Sequence, residues 1–291
     1  MKSSLQNEGD KIQIKYDDMY LGLKAKGDYK KVLILVEGPD DYRIYKKLLD
    51  QDKVILEEHC SIQSGCARVM DMLREINHRP FHVKKKKIKH LAILDADFFR
   101  ILKRLTTDEN LIYTDCHDNE MMALQSVRAI EDLCYVLIGN NPAAVSKAKR
   151  IFEDLAILTK FKWYNAEFSL GANFDGMDLQ NMKIDQLHDA AYLFKEIQGN
   201  SGNCRATLNG LMLYVNSHVV DAENQYEVTN GHDFVTRFGT LLKKCGHQTD
   251  EKIIEEKLQE QLTSGKFHST LMSQRIHEWE KSQNLVGTII R

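Results

Sequence analysis

The chain reads as an α/β protein: a parallel, doubly wound sheet flanked by helices, followed by a mainly α-helical C-terminal region. Three observations predict this. The runs Val32-Leu33-Ile34-Leu35-Val36 and Leu91-Ala92-Ile93-Leu94 are apolar without polar alternation, which suits strands covered on both faces. Segments of helical spacing separate the runs, giving the strand-helix alternation of a parallel sheet. Beyond the breaker Gly139-Asn140-Asn141-Pro142, apolar residues recur almost only at three- and four-residue spacing.

Taken in order, the first run ends at Glu37. Gly38 supplies a turn, Pro39 suits a first helical position, and Asp40 and Asp41 complement a helix N-terminus. Tyr42, Tyr45, Leu48 and Leu49 then fall at helical spacing. A second strand is expected from Val54 to about Ile62, a turn at Ser64-Gly65, and a helix from Ala67 to Ile76. A lysine run leads into the Leu91 strand, and a helix or irregular stretch continues to Leu105. Leu111-Ile112-Tyr113 forms a further strand, and one helix is expected from Asn119 to about Val136. Later helices are expected over 143–160, 185–197, 207–216, 234–244, 251–262 and 271–282. The expected division is an N-terminal extension (1–30), a sheet domain (31–140) and a helical domain (141–291).

Composition sets outer limits. At 291 residues and 43% hydrophobic the chain can bury a sizeable core. A net charge of −2 argues against a chain-wide polycation, though not against a local basic groove. Six scattered cysteines form neither a zinc ribbon nor a disulfide framework, and a reducing cytoplasm is the simplest setting. The polar start, 1–11, does not read as a secretory signal. No stretch approaches the ~20 apolar residues of a membrane span.

Three acidic groups follow the apolar runs: Val36-Glu37-Gly38, Asp95-Ala96-Asp97, and Asp115-Cys116-His117-Asp118-Asn119-Glu120. In extended chain, side chains at i and i+2 share a face roughly 6.6 Å apart, so Asp95 and Asp97 can share one hard cation. Acids gathered at the C-terminal ends of successive strands repel one another, and a bound cation is the natural reason to collect them. Magnesium takes one or two carboxylates plus waters and substrate phosphate, which matches this supply. Asp115, Asp118 and Glu120 would complete that site or build a second. Asp41 reads either as a helix-start charge or as a group supporting the metal.

The order Glu-Gly then Asp-x-Asp, with βα units between, resembles the TOPRIM domain of topoisomerases, bacterial primases and nucleases of the overcoming-lysogenization-defect type. Leu35-Val36-Glu37-Gly38-Pro39-Asp40-Asp41, Ile93-Leu94-Asp95-Ala96-Asp97-Phe98 and Thr114-Asp115-Cys116-His117-Asp118-Asn119-Glu120 narrow the resemblance. They are similar to the TOPRIM family that includes the nuclease effector of PARIS anti-phage systems. The resemblance covers residues 31 to about 125. It implies that Glu37 is the general acid/base or a ligand beside it, that Asp95 and Asp97 hold magnesium or manganese, and that Asp118 and Glu120, with Asp115, form the third acidic motif. One or two ions follow. A topoisomerase is disfavoured, since no active-site tyrosine domain can be identified in so short a chain.

The expected function is therefore metal-dependent hydrolysis of phosphodiester bonds in RNA, tRNA included, or DNA, as the toxic effector of an anti-phage system. If the PARIS-like resemblance holds, an ABC-type ATPase restrains it, and a homodimer is expected. The alternative is a non-catalytic TOPRIM module that binds nucleic acid or a partner. A primase-like transferase ranks last. Arg100, Lys103 and Arg104 are placed to meet a phosphate backbone. Lys84 and Lys85, in the run Lys84-Lys85-Lys86-Lys87, fit the same role, although such a run is ordinarily a solvated face. His232, in the helix-opening Asn230-Gly231-His232-Asp233, is a supporting candidate. Trp163, Tyr164, Phe168 and Trp279 can stack on bases but at these spacings read as core.

Overall fold

The computed structural model describes residues 4–27, 30–58, 65–285 and 287–291. The chain divides into two compact units: 1–95 with 106–114 and 264–291, and 96–105 with 115–263. This differs from the expected boundary near residue 140. Residues 264–291, expected in the helical domain, belong with the sheet, and 115–140, expected with the sheet, belong with the helices.

The first unit holds strands β1 (Val32–Val36), β2 (Val54–Glu58), β3 (His82–Val83), β4 (Lys86–Lys87), β5 (His90–Leu94) and β6 (Leu111–Tyr113). Four of them make a parallel sheet in the order β2-β1-β5-β6. Every residue of β1 and β5 is buried, as their unbroken apolar runs require. The expected second strand ends at Glu58, and residues 59–64, including part of that expectation and Ser64, lie outside the described residues. Helices Pro39–Leu48 and Gly65–His78 follow β1 and β2.

The C-terminal segment returns to this unit through specific contacts. Tyr45 Oη lies 3.6 Å from the Met272 sulfur, and the Trp279 indole N–H donates to Asn110 Oδ1 at 3.1 Å. Ile290 bridges to Leu49, and the amide of Arg291 donates to the Leu48 carbonyl at 2.9 Å. The buried Glu280 carboxylate accepts from Thr288 Oγ1 at 3.1 Å and from the Ile289 amide, so the polar group of the turn is satisfied in place.

The lysine run is a hairpin. Strands β3 and β4 pair antiparallel, and the two residues between them, Lys84 and Lys85, have φ of 51° and 63°. Two consecutive left-handed residues are what a tight hairpin with native strand twist demands.

The second unit is helical. The helix expected from Asn119 to Val136 breaks into Asn119–Leu124 and Ala129–Ile138. Ser126 Oγ bonds back to the Ala123 carbonyl at 2.9 Å and Arg128 is left-handed at φ 65°, so the backbone turns where periodicity alone would continue it. Likewise 143–160 becomes Pro142–Lys149 and Ile151–Phe168, and 185–197 becomes Ile184–Leu187 and Ala190–Asn200. Leu208–Ser217, Gly231–Lys244 and Glu251–Gln261 match their expected places, as does Leu271–Ser282 in the first unit. Phe152, Phe161, Phe234 and Phe238 fill the core. Trp163 is buried against Tyr214 and Val228, with Tyr164 tilted against the Tyr214 ring and Phe168 edge-on to it.

Candidate functional site

Two acidic groups stand out, one in each unit. In the first unit the sheet changes winding direction at β1. The chain moves from β1 to β2 on one side, then crosses to β5 on the other. Open α/β sheets place ligands outside the C-terminal ends of the strands at such a switch point. Glu37 follows β1 and Asp95 follows β5. Glu37 Oε1 accepts the Asp95 backbone N–H at 2.9 Å, so one side chain joins the two strand ends and fixes the Glu37 carboxylate beside Asp95. Both residues are half-buried. The helix Pro39–Leu48 begins immediately after, and its positive N-terminal end favours anionic groups nearby.

Asp41 is drawn into that helix start. Its Oδ2 accepts the Gly38 amide at 3.1 Å, and Asp40 pairs with Arg43. The helix-start reading of these acids therefore fits the geometry, and the metal-supporting role expected for Asp41 competes with its capping bond.

The expectation that Asp95 and Asp97 share a strand face is corrected. β5 ends at Leu94, and Asp97 has φ of 44°. The alternation that would align i with i+2 holds only in extended chain. Aspartate tolerates this left-handed position better than most residues, and its amide donates to the His117 carbonyl at 2.8 Å.

Asp97 instead joins a network in the second unit. His117 Nδ1 lies 3.1 Å from Asp118 Oδ2 and 3.9 Å from Asp97 Oδ1. Burial alone would push the imidazole down, but the Asp118 hydrogen bond and the charges of Asp118 and Asp97 outweigh it and hold His117 above its usual range. The Asp97 carboxyl is pushed up by burial and by Asp118, with His117 opposing. A cavity of about 340 Å³ is lined by Asp97, Phe98, His117, Lys162 and Asn230. His117 Nε2 is buried and makes no hydrogen bond among the described residues. Lys162 reaches Asp233 Oδ2 at 2.6 Å. Sequence reading missed Lys162 and gave His117 no role of its own. The dipeptide His117-Asp118 was visible, but Lys162 lies forty-odd positions away and carries no local mark.

Asp118, expected as a metal ligand, is consumed by structure. It is 6% exposed. Its Oδ1 accepts the Met121 amide at 2.9 Å, capping Asn119–Leu124, and its Oδ2 accepts the Gly231 amide at 2.6 Å besides facing His117. A Cβ at Gly231 would stand 2.5 Å from Glu120 Cβ and 2.6 Å from Asp118 Oδ1, so only glycine lets the start of Gly231–Lys244 approach. Glu120 and Asp115 are half-buried in the same unit. Burial pushes the Cys116 thiol far up, and its Sγ lies 3.2 Å from Gln125 Oε1, the surroundings of an inert cysteine.

The basic candidates separate as well. The Arg104 guanidinium donates to the carbonyls of Ala166 at 3.1 Å and Glu167 at 2.8 Å, which ties it to the helix Ile151–Phe168. Lys103 is exposed and left-handed at φ 55°, and Arg100 is half-buried. His232 Nδ1 lies 3.4 Å from Glu255 Oε1; it faces a different cavity, of about 600 Å³, shared with Asp233 and Lys162, rather than the one that His117 lines. Lys84 and Lys85 occupy the β3–β4 turn.

Among the described residues, no three His, Cys, Asp or Glu side chains converge as a metal-holding group. Compared with known proteins, the chain matches no family model and no curated sequence. No described helix is long and apolar enough to cross a membrane.

Proposed function

We propose that the protein is a metal-dependent phosphodiester hydrolase of the TOPRIM kind, with Glu37 and Asp95 at its centre. One observation carries the reading: the Glu37 carboxylate is tied to Asp95 at the C-terminal ends of the two strands that flank the switch point of a parallel sheet. The pair supplies hard oxygen donors, which fit magnesium or manganese, since magnesium is held by one or two carboxylates with water and substrate phosphate completing its shell. When bound, the ion would neutralise phosphoryl charge and lower the pKa of a water. Glu37 would orient that water and take its proton. The Asp95 carboxylate would fix the ion against the strand end. The resemblance adds Asp97 to this pair, while the local geometry gives Asp97 to His117.

Nucleic acid, as RNA or DNA, is the substrate class; the resemblance adds a restraining ABC-type ATPase, and the helical C-terminal half would supply a dimer or partner surface. The test is to incubate purified protein with tRNA, single-stranded RNA and plasmid DNA in magnesium or manganese, with chelator alongside. Metal-dependent cutting of one class is expected. No cutting of any class, with and without the ATPase and a phage trigger, would overturn the proposal.

A further inference from the structure

At the N-terminal edge of the same sheet, opposite the end that carries Glu37 and Asp95, a cavity of about 560 Å³ opens in the first unit. Lys30, Lys31, Lys53, Lys86, Lys87 and Lys89 line it. They come from three separate stretches of chain: the approach to β1, the turn before β2, and the β4–β5 segment. Among the described residues, no acidic side chain lines the cavity. Lys53 Nζ meets Asp50 at 3.3 Å. In a chain with 40 basic and 42 acidic residues, six lysines around one hollow are a marked local excess.

Three of these lysines are also held in place. Lys31 Nζ donates to the Gln51 carbonyl at 3.0 Å, Lys53 Nζ to the Thr288 carbonyl at 2.8 Å, and Lys89 Nζ to the Gln283 carbonyl. Their charges are positioned before any ligand arrives, which lowers the ordering cost of binding. Lys30, Lys86 and Lys87 are exposed on the rim. Val32, Leu285 and Ile289 contribute an apolar floor. The volume lies within the ~300–1,000 Å³ usual for small-ligand sites. A concave floor with converging cations suits a compact anion better than an extended polymer, which would meet only the rim.

We propose that this cavity is a binding site for a compact phosphate chain of three or more negative charges, carried by a nucleoside triphosphate or by inorganic polyphosphate. It is separate from the acidic edge and does not depend on how that edge is read. The phosphate chain sits among the six lysines, and the apolar floor takes whatever organic part is attached.

The experiment is calorimetric titration of the full chain, without divalent metal, with inorganic tripolyphosphate, with a nucleoside triphosphate, and with a twenty-nucleotide single-stranded RNA. Lys30→Gln/Lys86→Gln/Lys87→Gln is run beside the wild type, and circular dichroism checks its fold. These side chains are exposed, so the variant keeps the core intact. Tripolyphosphate is expected to bind, more weakly as salt rises, and the variant to lose roughly tenfold in affinity. Tighter binding of the nucleoside triphosphate than of tripolyphosphate identifies a nucleotide as the source; equal binding identifies the phosphate chain alone. No binding of either at millimolar concentration, equal binding by the variant, or binding of RNA only would overturn the proposal.

Discussion

Glu37 and Asp118 are both acids that follow an apolar run in the sequence, yet they do different work. Glu37 accepts the Asp95 backbone N–H and is half-buried at a strand end. Asp118 is buried and meets the Met121 and Gly231 amides and the His117 ring. A carboxylate buried among three donors holds a local fold together, whereas one half-buried at a strand end, beside a second carboxylate, is placed to meet a cation. The difference teaches that the position of an acid after a strand does not decide its role; its burial and the elements it ties together do.

The largest effect is expected at Asp118. Asp118→Ala leaves two buried amides unsatisfied at about 1–3 kcal/mol each, so a loss of about 3 kcal/mol or more is expected in urea unfolding. A change below 0.5 kcal/mol, by contrast, would fall within the usual scatter of a surface substitution and would remove the structural role argued for this acid.

Acid stability sharpens the picture in the first unit. Burial lowers the His90 pKa from 6.5 to about 4, and its Nε2 lies 2.7 Å from Asn77 Oδ1. The folded value is below the unfolded one, so the folded state prefers the neutral ring. That stabilisation is complete above about pH 6.5, falls as pH drops from 6.5 towards 4, and is gone below about 4. One pKa unit corresponds to ~1.4 kcal/mol, so on the order of 3 kcal/mol is at stake. Unfolding measured between pH 7 and 4 should show this slope, and His90→Gln should flatten it. An unchanged slope in the variant would assign the acid loss to other groups.

The smallest stability effect, though still measurable, is expected at Gly231. Gly231→Ala forces its methyl against Glu120 and Asp118, and overpacking of this kind costs about 1–3 kcal/mol. A thermal shift series reads it, and a melting point equal to that of wild type would show that the approach of the two helix starts is looser than drawn.

Much of the sheet was legible in the sequence because fully buried parallel strands leave unbroken apolar runs, and both β1 and β5 have them. The break at Ser126–Arg128 was not legible, since a side chain bonding back to its own helix leaves the apolar period intact. Nor was the return of 264–291 to the sheet, which rests on long-range contacts such as Trp279 to Asn110 and Tyr45 to Met272. At the site, Glu37 and Asp95 were visible as acids closing strands. The turn that takes Asp97 out of the strand was not, because Asp-Ala-Asp reads equally well as extended chain. The hairpin of Lys84 and Lys85 was hidden for the same reason: lysine carries none of the Asn-Gly signal that usually marks such a turn.

The most direct test of the central claim is the magnesium-dependent cleavage rate of Glu37→Gln against wild type on whichever nucleic acid the wild type cuts. Glutamine keeps an oxygen to accept the Asp95 amide, so melting should be unchanged while cleavage falls by roughly 10²–10⁴, the range for losing a general acid–base group. Wild-type cleavage in a variant that melts normally would contradict the account, because the strand-end carboxylate would then be doing no chemistry.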